Sequence, residues 1–101
     1  MSRVVVIISY RALADHIDTA MHEISKLIAI VQSVEPDCGG ITMIRSSSDP
    51  SRITLVEHWP SQAIYSGPHM QQPHIQSFMQ SARGFLAGPP DISFWDHVSG
   101  A

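Results

Sequence analysis

The stretch GPHMQQPH (residues 67–74) holds two histidines five residues apart, each following a proline. Imidazole suits two tasks, ligating a metal or moving a proton near neutral pH, because its ordinary pKa is about 6.5. Five residues of helix turn the chain by about 500°, which leaves His69 and His74 roughly 140° apart around the axis. A helical zinc pair instead sits at i and i+4, with Cys, Asp or Glu completing the shell. No third ligand stands at a recognisable spacing, so no metal is expected. Pro73 supplies a different geometry, since proline favours the first helical turn, where its missing N–H has no partner to lose. A helix beginning there leaves His69 in the irregular segment before it. His74 then falls in the first turn, at the margin of an apolar stripe, where it can touch an internal cavity from the rim. The plainer alternative is two surface polar residues at a helix start. Gly67 and Pro68 suit a lid or rim ahead of that helix.

The other reactive side chains are few. Trp59 shares a strand face with Ile53, Leu55 and Glu57 by the two-residue repeat. On residue type alone Trp59 and Tyr65 are core aromatics, with the phenol satisfied at a rim. Glu57 lies on that apolar face, so it must be paired, protonated or near a dimer seam, and a structural role is read first. His58, Asp96 and His97 form no diagnostic pattern. Cys38 has no evident activating base beside it, as a catalytic thiol needs. Arg11 and Arg45 could hold an acidic group, although a solvated strand end explains each.

Strands and helices must position these groups. RVVVIISY (residues 3–10) is β-branched and apolar on both faces, which predicts a central strand. Ile17, Ala20, Met21, Ile24, Leu27, Ile28 and Val31 recur at helical steps, with Asp15 as the expected N-cap and EPDCGG (35–40) ending the helix. ITMIRS (41–46) and RITLVEHW (52–59) are predicted strands joined by the turn SSDPS. A short helical turn is expected over 61–65. A second amphipathic helix follows, carrying Ile75, Phe78, Met79, Ala82, Phe85 and Leu86 on one stripe. Gly88 to Pro90 stops it, and DISFWDHV (91–98) alternates as a closing strand.

The predicted class is therefore α+β, a ferredoxin-like βαββαβ unit with a four-stranded antiparallel sheet and both helices on one face. It fills one domain, residues 1–101. The other sheet face is also apolar, and a large bare apolar face marks an interaction surface. A homodimer pairing through these faces is expected. Charged residues are 15% of the chain, below the usual ~25%, which points the same way. A net charge of −3, with one lysine and scattered arginines, gives no footprint for nucleic acid or an anionic membrane. The single cysteine and the lack of any membrane-length apolar run lead to the expectation of a soluble cytoplasmic protein.

EPDCGGITMI after the first helix, LVEHWPSQA across the end of the third strand, and the HMQQPH pair resemble the antibiotic biosynthesis monooxygenase (ABM) domain. The resemblance runs from Val4 to Val98 in element order and motif placement. It implies a ferredoxin-like unit paired into a dimeric α+β barrel. The family includes cofactor-free oxygenases of polyketide phenols and haem-degrading enzymes. In the oxygenase branch a tryptophan and a tyrosine placed like Trp59 and Tyr65 hold an aromatic substrate between sheet and helices. That branch also has an asparagine where this chain has Leu55, and a basic residue where it has Met79. The haem-degrading branch has its axial histidine near Met79 and a tryptophan near His69, so haem is not expected as a cofactor.

No G-x-G-x-x-G loop or Walker motif is present, and no flavin or other nucleotide cofactor is indicated. An oxygenase of this kind draws its electrons from the substrate. A deprotonated electron-rich phenol or hydroquinone reacts with dioxygen, while the protein stacks the rings, relays a proton and steadies the oxyanion. The implied assignment is Trp59, Leu55, Phe78 and Met79 around a small aromatic molecule. Tyr65 hydrogen-bonds the phenolate, and His69 or His74 relays the proton. The alternatives are a non-catalytic ligand-binding or regulatory dimer and a proton-transfer isomerase.

Overall fold

A computed structural model describes residues 3–100, so the span 1–101 expected for the domain includes three residues outside the described range. Four strands form one antiparallel sheet: β1 (Val4–Arg11), β2 (Ile41–Arg45), β3 (Arg52–Trp59) and β4 (Asp91–Asp96). Their order is β2-β3-β1-β4, which places the β-branched β1 centrally, as its two apolar faces require. The helices are α1 (Ile17–Val34), the short α2 (Gln62–Ser66) and α3 (Pro73–Ser81). The α+β ferredoxin-like architecture read from the sequence is the one observed.

Register explains which side chains meet. Val4 pairs with Trp59, Val6 with Glu57 and Ile8 with Leu55, while Ile8 also pairs with Ile92 and Val6 with Phe94. These residues share the face on which the α1 stripe of Ala20, Ile24, Leu27 and Val31 packs. On β3 the alternation is strict, with Ile53, Leu55, Glu57 and Trp59 all buried. Glu57 is the one charged-type residue among them. The opposite face carries Val5, Ile7 and Val56, half-buried, beside Ile44 and Trp95, which are 51% and 56% exposed.

Three expected boundaries shift. Asp15 is not the N-cap of α1, because a 3-10 turn over Ala14–His16 precedes it and the helix starts at Ile17. That turn forms because Leu13 N–H is drawn to Phe85 O at 2.9 Å and the His16 amide closes back onto Leu13 O. The second helix stops at Ser81 rather than continuing through Leu86, and a 3-10 turn over Ala82–Gly84 follows. Phe85 and Leu86 are still buried, but by docking against the end of β1, where Leu86 bridges Ala12 and Ala87 N–H reaches Arg11 O. Strand β4 ends at Asp96 because its partner β1 begins at Val4, opposite that residue.

The hairpin turn forms as its residues suggest. Asp49 accepts from Ser51 N–H and Oγ, and Arg11 pairs with Asp49 at 3.2 Å. These bonds, chiefly those from Ser51, hold the Asp49 carboxyl below its ordinary pKa. Arg11 thus has an acidic partner within the fold. Among the described residues, no helix is long and apolar enough to cross a membrane.

Candidate active site

Between the sheet and the helices lies a cavity of about 620 Å³. Leu27 and Val31 of α1, Leu55 of β3, and Ile75 and Phe78 of α3 make much of its wall. Its polar members are Tyr10, Glu57, Tyr65, His69 and Arg83. Among the residues singled out from sequence, Leu55, Tyr65, His69, Phe78 and Met79 line it. Trp59 and His74 stand behind the wall.

Local sequence explains how His69 arrives there. Ser61 caps α2, its Oγ accepting from Ile64 N–H at 3.2 Å. The helix closes after one turn at Gly67, where a Cβ would sit 2.8 Å from Ala63 O. Only glycine fits that approach. Pro68 opens a 3-10 turn over His69–Gln71, and Gln72 is extended, as a residue before proline prefers. Pro73 then starts α3. Segment 61–72 thus places Tyr65 and His69, 4–5% exposed, in the cavity wall, while Gln62, Ala63, Ser66, Pro68 and Gln71 stay exposed.

Glu35 joins the two histidines. It follows the last residue of α1 and precedes Pro36, which disfavours helical geometry at Glu35 and sends its backbone extended. Its buried carboxylate meets His69 Nδ1 at 2.9 and 3.0 Å and His74 Nε2 at 2.6 Å. An ionised carboxylate only accepts hydrogen bonds. Toward such a carboxylate each ring presents an N–H, and a neutral His69 then carries its lone pair on Nε2. Among the described residues no buried side-chain nitrogen or oxygen lacks a partner. His69 Nε2 makes no hydrogen bond among the described residues, and His69 is one of the residues that line the cavity. Burial pushes the His69 pKa down, against the pull of Glu35, and so favours the neutral ring.

Trp59 organises the rest of this end. Its indole N–H donates to Glu57 Oε1 at 2.8 Å. Its ring lies 4.4 Å from His69 and meets Tyr65 edge-on at 5.8 Å, while Tyr65 and His69 are 4.9 Å apart. Burial raises the Glu57 carboxyl to about 7, and burial also raises both Tyr10 and Tyr65. Cys38, half-buried, has its thiol pushed up by burial, which works against nucleophilic use. Among the described residues no group of three His, Cys, Asp or Glu is placed to hold a metal ion. Glu35 already spends its oxygens between two imidazoles.

Sequence reading missed Glu35 and Tyr10, and gave Glu57 a structural role first. Tyr10 was visible in principle, because the strand repeat sets it on the face of Val6 and Ile8. Glu35 carried a fainter signal, an acid between a helix end and a proline. Its partners lie 34 and 39 residues away, and no local pattern connects them.

Residues 3–81 match the sequence model of the antibiotic biosynthesis monooxygenase family. No curated protein matches the chain in sequence. Solved structures resemble it closely in fold. A Pseudomonas aeruginosa protein is 17% identical with a TM-score of 0.86, covering 98% of this chain and 97% of its own. A Bordetella bronchiseptica protein that carries the family's name is 18% identical with a TM-score of 0.87, over 98% and 100%. A Mycobacterium tuberculosis protein is 18% identical with a TM-score of 0.84, over 99% of both chains.

Proposed function

The chain belongs to the antibiotic biosynthesis monooxygenase family, and on that premise we propose that it oxidises an electron-rich aromatic of the polyketide phenol or quinol type with dioxygen and no cofactor. The observation that carries this reading is the His69 ring, held by buried Glu35 in the wall of an apolar cavity. A volume of about 620 Å³ lies within the range that takes a small multi-ring ligand. Leu55, Phe78 and Met79 pack the rings, and Trp59 acts from behind by fixing Tyr65 and His69. His69 Nε2 takes a proton from the substrate, and Tyr65 O–H donates to the oxyanion that develops. The electron-rich anion then reduces dioxygen. For an anthrone, the ring CH₂ and O₂ become a ring C=O and water, so all electrons come from the substrate. Glu35, held between His69 and His74, steadies the imidazolium that forms on His69.

Oxygen uptake with anthrones, naphthols and hydroquinones tests this. Wild type should consume oxygen with an anthrone, and Tyr65→Phe and His69→Gln should each lose roughly a hundredfold in rate. Ligands that raise the melting temperature without any oxygen uptake would sink the reading. That result would favour a binding protein, a role to which Leu55 and Met79 lend support by replacing the asparagine and basic residue of the oxygenase branch.

The working unit in this reading is a homodimer, with a second copy covering Val5, Ile7, Ile44, Val56 and Trp95. Light scattering at micromolar concentration should give twice the chain mass, and Trp95→Glu should give the monomer. A wild-type monomer removes the claim.

A further inference from the structure

Two proton-handling groups face the same cavity from either side of one indole. Trp59 donates its N–H to Glu57 Oε1 and lays its ring against His69. Glu57 Oε2 makes no hydrogen bond among the described residues, and Glu57 lines the cavity. The indole N–H on Oε1 places the proton of the neutral carboxyl on Oε2. His69 lines the same cavity. Resting on the proposed binding of an electron-rich aromatic, we infer that Glu57 and His69 form an acid–base pair that interconverts the keto and enol forms of such a substrate without oxygen.

In the forward step His69 Nε2 removes a proton from the ring CH₂. The C–H electrons form the new ring C=C bond, and the carbonyl oxygen takes the proton of Glu57 Oε2. The products are the enol, an imidazolium and a carboxylate, and the reverse step returns a proton to carbon. No oxidant or reductant enters. Burial drives the two groups apart in the useful direction, holding Glu57 at about 7 and His69 low. Near neutral pH a protonated acid thus coexists with an unprotonated base, the pattern that assigns acid and base roles. Tyr10 and Tyr65, both raised by burial, remain neutral phenols beside them.

Anaerobic hydrogen–deuterium exchange of anthrone in D₂O, followed by loss of its CH₂ proton signal, tests the inference. Wild type should exchange about a hundredfold faster than buffer alone. Glu57→Gln and His69→Gln should fall close to the buffer rate, while Glu57→Asp keeps part of the acceleration. Wild-type exchange at the buffer rate, or folded Glu57→Gln exchanging like wild type, overturns it. Should Glu57→Gln not fold, wild type against buffer and Glu57→Asp still decide. Oxygen uptake without anaerobic exchange would reject this pair, and with it His69 as the base of the oxygenase, while leaving the oxidation itself standing. Exchange without uptake would support the pair and reject the oxygenase.

Discussion

Glu57→Gln is expected to be more stable than the parent by up to about 3 kcal/mol at about pH 8, and equally stable at about pH 4. Glu57 sits among Leu55, Val6 and Trp59, and burial raises its pKa from 4.5 to about 7. Between those values the folded protein binds more protons than the unfolded chain. The carboxyl's contribution is therefore fully present below 4.5 and is lost as the pH rises through about 7. Glutamine has the same shape, never ionises, and keeps an oxygen to accept the Trp59 N–H. His69, depressed by burial, acts in the opposite sense, losing stability as the pH falls below its ordinary value, but it is common to both proteins and cancels. Urea denaturation at the two pH values measures the difference. A variant less stable than the parent at the higher pH would show that the Glu57 carboxylate is stabilised by a partner. The expected gain comes with the expected loss of anaerobic exchange, so stability and chemistry would oppose each other at one residue.

Glu35→Ala should cost about 3–4 kcal/mol and lower the melting temperature by about 10–20 °C. The substitution strips two imidazoles of their common acceptor, and His69 is 4% exposed, so its N–H has no water to turn to. It also loosens the junction of α1, the 3-10 turn and α3, which those three side chains pin together. Glu35→Gln separates folding from orientation. It keeps the shape but offers one accepting oxygen, so the His69 tautomer is no longer imposed. Its oxidation rate should fall on the order of a hundredfold with little loss of stability. Differential scanning calorimetry and oxygen uptake on the two variants are the measurements. A Glu35→Gln protein with the parent's rate would reject the orienting role, and a Glu35→Ala protein as stable as the parent would reject the structural one.

Much of the fold was legible because its signals are local. The residues of β3 alternate without exception, so its bounds and buried face follow from the two-residue repeat. Pro73 opens α3 as its chemistry demands, and Ser61 caps α2. Boundaries slipped where a distant segment intervened. Asp15 looks like a cap, but the chain at Leu13 is already tied to Phe85. Phe85 and Leu86 keep helical spacing with Phe78, yet they leave the helix to dock on the end of β1.

The sequence by itself determined the order of elements, the apolar faces that stack them, and the family to which the motifs belong. It also brought Leu55, Tyr65, His69, Phe78 and Met79 under notice, and all five line the cavity. Tertiary structure alone decided what surrounds each of them. The two histidines are not a helical pair. They meet through Glu35, which comes from another helix end. Trp59 does not face the cavity but holds Glu57 and His69 from behind. The physical reason is range. Periodicity and capping act over a few residues and are written in neighbouring letters. A proton's partner, and the burial that moves its pKa, depend on groups that meet only when the chain is packed.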